Sequence, residues 1–148
     1  MALIIAIDQA VKAAVRSGFE PWESKDILGS FFSLTYVQNT GAAFSMFSGQ
    51  RWLLTAVPFI VILFGIWYLE KHRDEPKILP VSLALAIGGG ISNLIDRTFM
   101  GFVTDMFDFH FWPVFNVADI AVCAGFGLLI IYILKYYGRS DSKPEEMG

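Results

Sequence analysis

The order of apolar and polar residues divides the chain into four apolar stretches joined by polar connections. The 18 residues from Trp52 to Leu69 carry no charge, and neither do the 18 from Ile78 to Ile95; each approaches the ~20 residues an α-helix needs to cross a bilayer. A third stretch, from about Val114 to Tyr137, contains only Asp119 and Lys135 as charges. The first, Ala2 to about Gly18, is interrupted by Asp8, Lys12 and Arg16, and at 1.5 Å per residue it reaches roughly 25 Å, short of a ~30 Å hydrocarbon core unless the bilayer thins around it. Lipid offers no partner to backbone N–H and C=O groups, and the runs lack the two-residue alternation of barrel strands, so helices are expected. The pattern predicts an all-α membrane protein: one integral domain of four transmembrane helices, at about 2–18, 52–69, 78–95 and 114–137.

The connections add detail. In the outer region 19–51, Phe32, Leu34 and Tyr36 alternate with Ser33, Thr35 and Val37, and Asn39, Thr40 and Gly41 supply turn chemistry, which predicts short strands forming a small extracytoplasmic sheet. In the loop 97–113, Phe99, Phe102, Met106 and Phe109 follow at three- and four-residue steps, the spacing of a helical stretch lying in the interface. Lys71, Arg73 and Lys77 in loop 70–77, with Lys135, Arg139 and Lys143 near the end of the chain, mark one cytoplasmic side, because short cytoplasmic loops collect Lys and Arg. Both termini then face the cytoplasm, and residues 139–148 are expected to be frayed. Pro58 is a kink candidate, Gly88, Gly89 and Gly90 invite close helix packing, and Trp52, Trp67 and Trp112 are interfacial anchors, with Trp22 near the headgroups.

Composition narrows the class. Mean hydropathy is +0.53, and charged residues make up 17% of the chain, against roughly a quarter in soluble domains. The 14 Phe exclude disorder, the single Cys123 excludes a disulfide scaffold, and 11 basic against 14 acidic residues exclude a nucleic-acid binder.

Polar groups within a bilayer are costly, so those in the spans are functional candidates. Five carboxylates qualify: Asp8, Asp96, Asp105, Asp108 and Asp119. Asp8 and Lys12 stand four residues apart on one helical face and read as a structural ion pair. Asn93, Asp96 and Arg97 end the third span together, and Asn116 and Asp119 open the fourth. Two carboxylates at ~4 Å in an effective dielectric of ~20 repel by about 4 kcal/mol, so one keeps its proton while the other acts as base toward water. The chain has no GxSxG, HExxH or Walker A sequence, its two histidines, His72 and His110, fall on opposite sides of the membrane, and Cys123 in the apolar fourth span reads as an inert small hydrophobe. Spacing alone leaves open which two carboxylates form the pair.

The stretches IDQAVK (Ile7–Lys12), NTGAAF (Asn39–Phe44), GGGISNLIDR (Gly88–Arg97), GFVTDMFDF (Gly101–Phe109) and FNVADI (Phe115–Ile120) together resemble the motif series of the lipoprotein signal peptidases, or signal peptidase II, in the same order. The resemblance implies four transmembrane helices with an outer β-cradle and an intramembrane aspartyl endopeptidase of the bacterial inner membrane. Such an enzyme cuts a prolipoprotein just before a diacylglyceryl-modified cysteine, without a metal or organic cofactor. It places the catalytic aspartates at Asp105 and Asp119, makes Asn39, Asn93, Arg97 and Asn116 substrate-binding residues that donate hydrogen bonds to the peptide, and leaves Asp8, Lys12 and Asp96 in support, with Arg97 holding Asp96. The chain has Met106 where the family has Phe after its aspartate, which keeps Asp108, followed by Phe109, as the alternative catalytic residue. We expect a monomer whose partners are that substrate and membrane lipids, working near the outer leaflet. A proton- or ion-coupled transporter would use the same carboxylates as a relay, yet the inner halves of the second, third and fourth spans carry no charge; a passive scaffold leaves the buried Asn and Asp side chains without a purpose.

Overall fold

The computed structural model describes residues 1–41 and 50–136. The elements run α1 (Ala2–Gly18), β1 (Ser24–Leu28), β2 (Phe32–Asn39), α2 (Arg51–Lys71), α3 (Ile78–Phe99), β3 (Val103–Asp108) and α4 (Val117–Tyr136). The second half of NTGAAF, the end of the outer region expected at 19–51, Arg139, Lys143 and the tail 139–148 lie outside the described residues. Among the described residues three helices, α2, α3 and α4, are long and apolar enough to cross a membrane; α1 is a helix of 17 residues over the expected range.

The bundle is built around α3, which packs on each of the other three helices. Its glycine run explains how. A Cβ on Gly88 would meet Met1 of α1's leading end at 3.2 Å, one on Gly89 would collide with the Ala118 carbonyl of α4, and one on Gly90 faces Ile62 of α2 at 3.4 Å. Successive residues turn by about 100° on a helix, so three adjacent glycines address three neighbours. Gly125 makes a second crossing, its absent Cβ 2.6 Å from the Ser82 carbonyl. We predict that Gly89→Ala lowers stability by about 1–3 kcal/mol, because a backbone carbonyl cannot yield to the new methyl, whereas Gly90→Ala, facing a flexible side chain, leaves it unchanged. Thermal unfolding of the two variants in detergent checks this. Pro58 sits inside α2, which runs on through it.

The helices carry their apolar side chains outward. Leu3 and Ile7 of α1 and Ile60, Phe64, Ile130 and Leu134 of α2 and α4 are exposed, while Asp8 and Lys12 are buried. In water this distribution would be unstable; against lipid, the polar face turns to the bundle interior. Among the described residues no buried side-chain nitrogen or oxygen lacks a hydrogen-bond partner, which makes that interior tolerable.

The sheet is antiparallel, in the order β1-β2-β3. Two expectations are corrected here. The sheet is not confined to the first connection, and residues 103–108 of the second form its third strand rather than a helical stretch. Val103 and Thr104 pair with Asn39 and Gln38, so the open edge of β2 captures a β-branched segment whose apolar spacing also suited a helix. A register shift between Leu34 and Val37 interrupts the alternation read from β2, and Ser33 and Tyr36 become its buried residues. Met106, Tyr36 and Val15 form the core between the sheet and α1. The fourth helix also begins later than expected, at Val117; Phe115 instead bridges to Phe107.

Candidate active site

Asn116 precedes the first residue of α4 and caps it. Its Oδ1 accepts the Asp119 N–H at 2.9 Å, while Asp119 Oδ2 accepts the Asn116 N–H at 3.1 Å, a reciprocal capping box with a carboxylate in the third position. Asp119 therefore lies in the first turn of α4, shallower than the five residues into the span that the sequence pattern implied. The same cap aims the Asn116 amide at β3, where Nδ2 donates to Asp105 Oδ1 at 2.7 Å. One asparagine thus touches both carboxylates.

The other donors come from three more elements. At the end of β2, Asn39 Oδ1 accepts the Gly41 N–H at 3.0 Å, which turns Nδ2 toward Asp105 Oδ2 at 2.9 Å. On α3, Asn93 Nδ2 donates to Asp119 Oδ1 at 2.8 Å. One turn on, Arg97 donates to the Gly41 carbonyl at 2.9 Å, tying the end of β2 to the bundle. Asn39, Asn93, Arg97, Asp105 and Asp119 line one cavity of about 920 Å³, whose remaining wall includes Leu54, Val122 and Trp112.

Asp105 is 2% exposed. Burial first, and then the neighbouring Asp119 carboxylate, push its pKa up to about 7, against the opposing hydrogen bonds from Asn39 and Asn116. Asp105 and Asp119 line the same cavity, and two acids that share one proton can activate water and polarise a carbonyl in the same step.

The other candidates lie elsewhere. Asp108 points to the sheet surface, accepting from Thr35 Oγ1 at 3.0 Å and pairing with His110 at 3.5 Å, away from the cavity. Asp96 is fully buried behind it; its direct partners come mainly from α1, and Arg97 adds the field of its charge. Lys12 stands 3.3 Å away, Arg16 3.8 Å, and Gln9 donates at 2.9 Å, with the Thr104 N–H of β3 completing the shell at 3.0 Å. Asp8 pairs with Lys12 at 2.8 Å, as its spacing suggested, and also accepts from Ser92 and from the Ala118 N–H of α4.

This arrangement can be set beside known proteins. The family model described as "Signal peptidase (SPase) II" matches residues 1–135. The chain belongs to the signal peptidase II family. The lipoprotein signal peptidase of Moorella thermoacetica is 41% identical over 96% of this chain and 95% of its own length, and that of Streptococcus pneumoniae is 41% identical over 90% and 88%. A bacterial membrane enzyme solved by the in meso method at 2.3 Å superposes with a TM-score of 0.88 at 25% identity, covering 97% of this chain and 90% of that one. As a signal peptidase II, the chain is a hydrolase and a multi-pass protein of the membrane.

Within this signal peptidase II, residue reasoning missed Gln9, Ser92 and Thr104, the uncharged partners of the buried Asp8 and Asp96. Ser92 stands four residues before Asp96 and Gln9 beside Asp8, a spacing that was available as a signal. Trp22, Trp112 and Cys123, read as anchors and as an inert hydrophobe, line the cavity.

Proposed function

We propose that this signal peptidase II hydrolyses the bond before a diacylglyceryl-modified cysteine in a prolipoprotein, with Asp105 and Asp119 as its catalytic pair. The observation carrying the assignment is the cavity that both acids line, with a separate amide donor on each and Asn116 joining them. Water between them gives a proton to Asp119 as its oxygen attacks the scissile carbonyl, and protonated Asp105 hydrogen-bonds the carbonyl oxygen as negative charge develops there. Collapse of the tetrahedral intermediate breaks the C–N bond, and the proton passes to the leaving amine. Asn39, Asn93 and Asn116 hold the two acids, while Arg97, at the cavity wall, is placed to bind peptide carbonyls.

Four spans with both termini cytoplasmic in the bacterial inner membrane fit this reading. The inward polar face and outward Leu3 and Ile7 of α1 support its place in lipid beside the three longer helices. The basic residues of loop 70–77, read as cytoplasmic, support an outer-leaflet position for the sheet, the cavity and the site. An acyl chain gains little in moving from lipid to a protein groove, so the diacylglyceryl group serves to set the depth and register of the scissile bond. Removing it should lower turnover as well as affinity.

The test is hydrolysis of lipidated and unlipidated prolipoprotein peptides by purified protein in detergent, followed across pH 5–9. Because Asp105 is raised to about 7, the pair loses its shared proton as pH rises through that value. The rate should therefore fall on the alkaline side of about pH 7, approaching tenfold per unit. A rate still constant at pH 9, or equal rates for the two peptides, would count against this mechanism.

A further inference from the structure

Lys12 is fully buried on α1, a helix that contributes no residue to the cavity wall. Its ammonium has three hydrogens and no acceptor. Two point at Asp8 and Asp96, at 2.8 and 3.3 Å, and the third meets Asn93 Oδ1 at 2.8 Å. The Asn116 amide donates to that same Oδ1 at 3.1 Å. With two donors on its oxygen, the Asn93 side chain has one favourable orientation, in which Nδ2 faces Asp119 Oδ1 at 2.8 Å. The flipped amide would set NH₂ against an ammonium and a second NH₂, and turn its carbonyl toward a carboxylate.

We propose that Lys12 is a positioning residue for peptide hydrolysis, acting through Asn93, whose amide it orients so that Nδ2 holds Asp119 at the cavity. The proposal rests on the reading of Asp105 and Asp119 as the catalytic pair. It differs from a purely structural role, in which Lys12 does no more than neutralise Asp8 and Asp96. Charge balance needs only a cation at this site; orientation needs a donor aimed at Asn93 Oδ1.

The two roles separate in an Asp8→Asn background, where Asp96 keeps Arg16, Gln9 and the Thr104 N–H. Into it are placed Lys12→Gln, which keeps a donor, and Lys12→Met, similar in length but without one; both remove the charge. Lys12→Gln should hold kcat on the diacylglyceryl peptide within about threefold of Asp8→Asn alone. Lys12→Met should lower kcat at least tenfold, with KM within twofold and an unchanged melting temperature. Equal kcat values for the two would overturn the proposal.

If Lys12→Met does not fold, the side-chain amide resonances of Asn93 decide, measured in ¹⁵N-Asn-labelled protein and assigned by their loss in Asn93→Ser. They should move on Asp119→Asn and on Lys12→Gln, and amide signals indifferent to both would overturn it equally. Asp119→Asn in the same assay distinguishes the two levels. Full turnover there removes the catalytic reading and this proposal with it. Lost turnover together with equal Gln and Met rates removes the role of Lys12 alone.

Discussion

Asp105→Asn and Asp119→Asn should each lower turnover of a diacylglyceryl prolipoprotein peptide by about 10³-fold or more, while the protein still folds. Each change keeps the shape of the side chain and removes one half of a device that needs both an ionised and a protonated acid, and groups acting as a unit lose most of their effect with the first removal. Asp119→Asn leaves the backbone half of the capping box in place, since Asn116 Oδ1 still accepts the residue-119 N–H. Asp108→Asn is the control. Its partners are Thr35 and His110 on the sheet surface, so its rate should stay within about threefold of the parent. Cleavage measured by mass spectrometry at pH 6 and 7, with thermal unfolding beside it, separates lost chemistry from lost fold. Near-normal turnover in either cavity variant would transfer attention to Asp108.

The largest loss of stability is expected at a residue outside the cavity. Asp8→Ala should cost about 3–5 kcal/mol, the usual penalty for breaking a buried ion pair from one side. The aspartate is a junction as well as a counter-charge. One oxygen accepts the Ala118 N–H in the first turn of α4, and the other accepts Ser92 Oγ of α3 and faces Lys12. Truncation takes the carboxylate from all three: Lys12 keeps Asp96 and Asn93 and Ser92 keeps Gln9, but the Ala118 N–H loses its acceptor in a site that water does not reach. Asp8→Asn still offers an oxygen to Ala118 and an amide to Ser92 but turns that NH₂ toward Lys12, so it should cost less than the alanine and more than nothing. Unfolding midpoints in detergent for the three proteins give the order parent, Asp8→Asn, Asp8→Ala; an alanine variant melting with the parent would show that α1 is not what anchors α4.

Much of this architecture follows from simple rules applied to particular residues. The uncharged runs at 52–69 and 78–95 had one structural solution in lipid, and Asp8 and Lys12 stood one turn apart on one helical face. The Gly88–Gly90 run read as close packing, and each of its members meets a different helix. Strand β3 was hidden because Phe99, Phe102, Met106 and Phe109 suit a helix locally, while the partner that makes residues 103–108 a strand lies about 70 positions earlier, in β2. That Asp105 and Asp119 line one cavity was hidden for the same reason. β3 puts one acid beside the bundle and the Asn116 cap puts the other opposite, and neither effect is visible in spacing; motif resemblance pointed to the pair. The permanent charge of Arg97 pointed to Asp96, and it does act on that carboxylate; consecutive helical residues diverge by about 100°, so Asp96 finds its direct partners on α1.

The polar face of α1 also bears on how the protein is made. Asp8 meets its partner Ser92 across 84 positions and Ala118 across 110, so when the leading helix leaves the ribosome the groups that complete it have not been synthesised. A segment carrying Asp8, Lys12 and Arg16 gains too little from hydrocarbon to settle there alone. On the proposed four-span reading, α1 therefore waits for α3 and α4 before its polar face is satisfied, and Asp119, carried by α4, joins the cavity in that same closing step of biogenesis.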